Sequence, residues 1–147
     1  MSVAGRSFGS GPSTRHVRLK KVLVVDRDPF WGHAVRTALE QSGFYLNLVA
    51  EPSEGRRRAF ERTYDLVILS DSLGEGAIQA VVDEMAQRPS SPPVLIVARE
   101  GRLRRGPEGD GVPVFSILRR PCTIEEVVDA ARALAGSPWE EPPPRGA

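Results

Sequence analysis

Three continuous apolar runs set the rhythm of the chain: Val22-Leu23-Val24-Val25, Leu66-Val67-Ile68-Leu69 and Val94-Leu95-Ile96-Val97-Ala98. Each lacks Gly and Pro, is too short for a helix of its own, and shows no polar alternation. Each therefore reads as a strand buried on both faces, the kind that sits in the middle of a parallel sheet with helices on either side. Tyr45–Val49 and residues 114–118 predict two further strands. The stretches between them have helical spacing. In 29–42, Phe30, Ala34, Ala38 and Leu39 carry the buried stripe, with Trp31 and Val35 at its margin. In 53–62, Ala59 and Phe60 face in. Ile78, Val81, Val82 and Met85 mark a helix over 77–88, and Ile124, Val127, Val128, Ala131 and Leu134 mark one ending near Ala135.

The punctuation agrees with these elements. Asp28 precedes Pro29 as an N-cap before a first-turn proline, and Gly43 stands where that helix must stop. Thr123 and Glu126 have the spacing of a capping box. Residues 99–113 break the rhythm: four Gly and two Pro in that stretch leave room for at most one turn around Arg102–Arg105. Strand and helix thus alternate five times, with the fourth helix reduced or missing. That order specifies an α/β fold, a doubly wound parallel sheet of five strands, with right-handed crossovers placing helices on both faces.

The polar residues that matter follow the buried strands. In open α/β sheets the working crevice lies just past the carboxyl ends of the strands. Asp26-Arg27-Asp28 follow the first run and Ser70-Asp71-Ser72 the central one. Residues 1–19, rich in Gly, Ser and Arg at their start, and the Pro-rich tail 136–147 are expected to be disordered, leaving one domain over 20–135. Trp139 is expected to pack loosely on the body or to be exposed.

Bulk composition narrows the classes. The net charge of +1 argues against a field built for nucleic acid or membrane surfaces. The single Cys122 permits no internal disulfide and fits a reducing compartment. No apolar run approaches the ~18 residues of a membrane span, and no signal peptide is evident. A cytoplasmic protein is expected. Arg56, Arg57 and Arg58 point in different directions round a helix and read as a solvated face.

Residues 20–135 resemble the receiver domain of bacterial response regulators, the CheY-like, flavodoxin-like arrangement. The resemblance rests on Val22-Leu23-Val24-Val25-Asp26-Arg27-Asp28-Pro29, Tyr64-Asp65-Leu66-Val67-Ile68-Leu69, Pro93-Val94-Leu95-Ile96-Val97 and Leu118-Arg119-Arg120-Pro121 in that order. It implies a phosphoryl-accepting aspartate at the end of the third strand and Mg²⁺ held by an acidic pair after the first. It also implies a Thr or Ser ending the fourth strand and a Lys before a Pro after the fifth, across a bond that is cis in the family.

Carried over residue by residue, the pattern is degenerate. The first acidic place is kept as Asp26, but the second is Arg27. The acceptor place falls on Ser70, a hydroxyl with no adjacent base. The hydroxyl place falls on Ala98, or on Val97 in the other register, and the moving aromatic on Ile117. The Lys place is Arg120. Asp71, one residue past the acceptor place, is a displaced candidate that strand alternation turns away from Asp26. Mg²⁺ binding is not expected, since a hard cation wants several oxygen ligands. Arg120 is expected to reach Asp26 and stand in for the metal, with Arg27 as a competing partner.

The resemblance so read implies no enzyme. It implies a pseudo-receiver, a phosphorylation-independent interaction module in bacterial two-component signalling. Its partner would be a protein docking on the face that the family builds from its fourth helix, fifth strand and fifth helix. Arg99, Arg102, Arg104, Arg105 and Arg119 would gather there and meet an acidic surface. The alternative is a phospho-switch acting through Ser70 or Asp71. Nucleic acid and membrane are not expected as partners, and the oligomeric state is left open.

Overall fold

A computed structural model describes residues 18–61, 63–88, 90–99 and 115–140. Its strands are β1 Lys21–Val25, β2 Tyr45–Val49, β3 Leu66–Ser70, β4 Val94–Ala98 and β5 Phe115–Arg119. Its helices are α1 Pro29–Gln41, α2 Pro52–Glu61, α3 Glu75–Ala86 and α4 Ile124–Ala135. A 3₁₀ turn, Asp71–Leu73, separates β3 from α3. The five strands form one parallel sheet in the order β2-β1-β3-β4-β5, with α1 leading from β1 to β2, α2 from β2 to β3 and α3 from β3 to β4. This is the doubly wound architecture that the alternation of runs predicts. The link between β4 and β5, where a reduced fourth helix was expected, lies at 100–114, outside the described residues. None of the described helices is long and apolar enough to cross a membrane.

The continuous apolar runs are explained by burial on two sides. Leu23, Val25, Val67, Leu69, Val94 and Ile96 pack with Ala59 of α2 and Ile78, Val82 and Met85 of α3. Their sequence neighbours Val22, Val24, Leu66, Ile68, Leu95 and Val97 pack with Val35 and Leu39 of α1 and Val127 and Ala131 of α4. Alternation of side chains across a strand gives each face its own core, so no polar residue interrupts the runs Val22–Val25, Leu66–Leu69 and Val94–Ala98.

The caps hold. Asp28 accepts from the backbone N–H groups of Phe30 and Trp31, and Thr123 and Glu126 form the reciprocal capping box. The stripe of α1, however, is turned from the expected one. Phe30 is 86% exposed, Ala34 and Ala38 are half-buried, and the buried positions are Gly32, Val35 and Leu39. The cause is Gly32. A Cβ there would lie 3.2 Å from Leu48 Cδ1 and 3.4 Å from Asp26 Cβ. The helix thus makes its close approach to the sheet on a side that carries no hydrophobic signal.

Boundaries move by one or two residues. The largest change is at α3, which begins at Glu75 rather than at 77, capped by Gly74 at φ +92°. Arg18–Leu19 and Trp139–Glu140, assigned from the sequence to the flanking segments, pair as a short antiparallel ladder, and Lys20 N–H donates to the Pro138 carbonyl. The arginines of α2 lie on a face laced with ion pairs, Arg56 to Glu84 and Arg57 and Arg58 to Glu54. Burial pushes the Glu84 carboxyl up, but hydrogen bonds from Arg56 and Arg88 outweigh it and hold the group below its ordinary range.

Candidate functional site

Strand order reverses direction of travel between β1 and β3, and the crevice at such a switch point lies beyond their carboxyl ends. Asp26 follows β1 there and is 3% exposed, while Ser70 ends β3 and is 2% exposed. They are the two buried polar residues among those described. β1 and β3 are paired neighbours in parallel register, so Asp26 and the Ser70–Ser72 cluster lie at the same end of the sheet.

Asp26 is fastened on one side only. Its Oδ1 accepts from Asp28 N at 2.9 Å and from Ser72 Oγ at 2.7 Å. Its Oδ2 is buried and has no hydrogen-bond partner among the described residues. Ser72 Oγ in turn accepts from Arg27 N at 2.9 Å, so one hydroxyl ties the end of β1 to the turn after β3. The Arg27 side chain leaves the crevice for Glu51, at 3.6 Å and well exposed.

The pairing expected of Arg120 is corrected. It reaches Asp71, not Asp26: Nε lies 3.1 Å from Asp71 Oδ1, and a terminal nitrogen lies 3.3 Å from Ser70 Oγ. The reason lies in the backbone. Alternation of faces applies along a strand, but the chain leaves β3 at Ser70 and enters the 3₁₀ turn. Ser70 Oγ caps that turn by accepting from Ser72 N at 3.2 Å. In a turn, Asp71 projects toward the ends of β4 and β5, and its Oδ2 accepts from Arg99 N at 3.1 Å. Arg120 is also seated on Trp31, 4.6 Å from the ring centre, within the range of a cation–π contact. Its backbone N–H donates to the Ala98 carbonyl at 3.0 Å, and the Arg120–Pro121 bond is cis.

Ala98 ends β4 beside this cluster, buried and without a hydroxyl. Ile117 lies on β5, an edge strand, at 36% exposure. Arg99 and Arg119 are exposed on the β4–β5 side, while Arg102, Arg104 and Arg105 lie outside the described residues. Burial pushes the Cys122 thiol up, with Arg120 pulling the other way and Glu126 and Asp71 adding to the rise. The sequence places Ser72 in the polar cluster and Trp31 at the margin of the α1 stripe, but gives neither the role it has here, Ser72 as the tie to Asp26 and Trp31 as the seat of Arg120. The Ser-x-Ser spacing after a strand was a readable sign of a hydroxyl-capped turn; nothing marked Trp31 as a seat for Arg120.

The donor set does not fit the Mg²⁺ that the resemblance implies. An octahedral cation wants several oxygens. Asp26 brings one unengaged carboxylate oxygen, the adjacent acidic place is Arg27 turned outward, and Ser70 Oγ is held by Arg120. This leads to a stability prediction. Asp26→Asn keeps the Oδ1 acceptor and removes a buried charge that no cation among the described residues offsets, so it should stabilise the fold by about 1 kcal/mol. Urea melts of the two proteins measure this; a loss of stability would mean that the carboxylate is satisfied by a cation in solution.

No family model matches the chain. It is 25% identical over 114 residues to the transcriptional regulatory protein QseB of Escherichia coli O157:H7, which covers 78% of this chain and 52% of that protein. The chain therefore spans about half the length of the curated relative it matches. Among solved structures, it is similar to the chemotaxis response regulator CheY4 of Vibrio cholerae. The TM-score is 0.65 at 20% identity, covering 79% of this chain and 98% of that one. It is also similar to a response regulator receiver domain protein of Bacillus halodurans, with TM-score 0.61 at 26% identity over 79% of this chain and 97% of the other.

Proposed function

We propose, from a chain that folds as a CheY-like response regulator receiver domain, that this one is a pseudo-receiver. It is a phosphorylation-independent interaction module of two-component signalling, working in the cytoplasm through its surface. The observation that carries this reading is the state of the acceptor place. Ser70 is buried, and its hydroxyl oxygen already accepts from Ser72 N and from Arg120. A serine so held has no base to activate it, and it lies too deep for an external kinase. Both oxygens of the neighbouring Asp71 are engaged as well. The chemistry of phosphoryl transfer has lost its acceptor, its second acidic residue and its fourth-strand hydroxyl, while the sheet that displayed them is intact.

A module without that chemistry acts by what it presents. Exposed Arg99 and Arg119 put positive charge on the β4–β5 side, and Arg102, Arg104 and Arg105 belong to the segment that joins those strands. An acidic protein surface is the complementary partner, with the charges raising the association rate more than the affinity.

Backbone amide NMR tests the reading. Mg²⁺ with beryllofluoride, a phosphoryl mimic, should leave the amides after β1, β3 and β5 unmoved. Saturable shifts at Asp26, Ser70 and Asp71 would overturn it in favour of a phospho-switch at Ser70 or Asp71.

A further inference from the structure

We infer that Arg120 and the Arg99 N–H form an oxyanion cradle, and that the chain fills it with its own Asp71 carboxylate. The inference rests on the reading that no phosphoryl group is accepted here, and it says what takes that group's place. Two donors from two different strand ends converge on one carboxylate: Arg120 Nε on Oδ1 and Arg99 N on Oδ2, each at 3.1 Å. A guanidinium and a backbone N–H aimed at one spot are the chemistry of small-oxyanion recognition.

Arg120 has anchors other than Asp71. The Arg120 backbone is fixed to Ala98, its guanidinium lies on Trp31, and its terminal nitrogen reaches Ser70 Oγ. The Arg99 N–H directly follows β4. Arg120 is 16% exposed and Asp71 33%, so the anion position is sheltered yet open to a small solute. With the carboxylate removed, a preorganised cation and a donor would face solvent with no anion between them. A tetrahedral oxyanion, such as inorganic phosphate, fits that charge and those donors. In the intact chain, by contrast, a tethered carboxylate is present at an effective concentration that no free solute matches. The ends of β3, β4 and β5 are thereby bridged by a group encoded in the sequence.

The test is titration of the full chain with inorganic phosphate, followed at the Arg99 and Arg120 amides. The Asp71→Ala variant should show saturable shifts at millimolar phosphate, binding it about tenfold or more tightly than the parent chain. Asp71→Ala combined with Arg120→Ala should lose that binding. Absence of saturation in Asp71→Ala, equal binding by the parent, or binding that survives loss of Arg120 would overturn the inference. If Asp71→Ala does not fold, the Arg120 Nε–H resonance is compared between the parent and Asp71→Asn. It should move on loss of the carboxylate, and an unmoved resonance would overturn the inference. A response of the parent to beryllofluoride with Mg²⁺ strikes the phosphorylation-independent reading instead, so the two failures are distinct.

Discussion

Arg120→Ala should destabilise the domain by about 2–3 kcal/mol, below the roughly 3–5 of a fully buried pair broken from one side and above the ~1 of an exposed pair. The intermediate figure follows from exposure: Arg120 is 16% exposed but Asp71 33%. The loss has three parts. Asp71 keeps only the Arg99 N–H, Ser70 Oγ loses one donor, and the face of Trp31 is uncovered. Arg120→Lys should fall between, since an ammonium keeps the charge but not the planar fork that reaches Asp71 and Ser70 together. Urea denaturation reads both, as a lower midpoint with unchanged slope. An unchanged midpoint in Arg120→Ala would show that the contacts are not held in solution. Arg27 is the control. Its pair with Glu51 is exposed on both sides, and Arg27→Ala should change stability by about 1 kcal/mol or less.

Gly55→Ala should cost about 1–3 kcal/mol by overpacking, although alanine is the better helix former by ~1 kcal/mol. A Cβ at Gly55 would lie 2.6 Å from both Cγ atoms of Val25, and Val25 is 1% exposed at the end of β1. A branched side chain in a closed core cannot swing aside, so α2 or β1 must move. Because Asp26 follows Val25 directly, the displacement should also register in the Ser72 contact. Equal or higher stability of Gly55→Ala in the same urea assay would mean that α2 can lift from the sheet at little cost.

How much of this was legible before the structure differs by kind of signal. Strands buried on both faces announce themselves as unbroken apolar runs, because both cores draw on the same strand. The helix caps at Asp28 and Thr123 are local chemistry and could be read residue by residue. The face of α1 could not. Its orientation is decided by Gly32, where the helix comes close because nothing is there, and a count of apolar side chains then favours Phe30. The site was legible as a list but not as a network. Which residues had left the receiver pattern followed from spacing. Which carboxylate Arg120 would meet depended on whether the chain after Ser70 continues as a strand or curls into a turn. The Ser70 hydroxyl marks the change by accepting from the Ser72 N–H and capping the turn, and the strand rule of alternating faces does not extend past it.

The short ladder of Arg18–Leu19 with Trp139–Glu140 has a mechanical consequence. A pull applied between residues 18 and 140 acts on partners that face each other directly. The load falls on one pair at a time, as on the slider of a zip, rather than on the ladder as a whole. Arg18 and Glu140 part first, then Leu19 and Trp139, and only after the Lys20–Pro138 hydrogen bond opens does tension reach β1. Those few residues would therefore open before load reaches the parallel sheet, in the manner of a mechanical fuse.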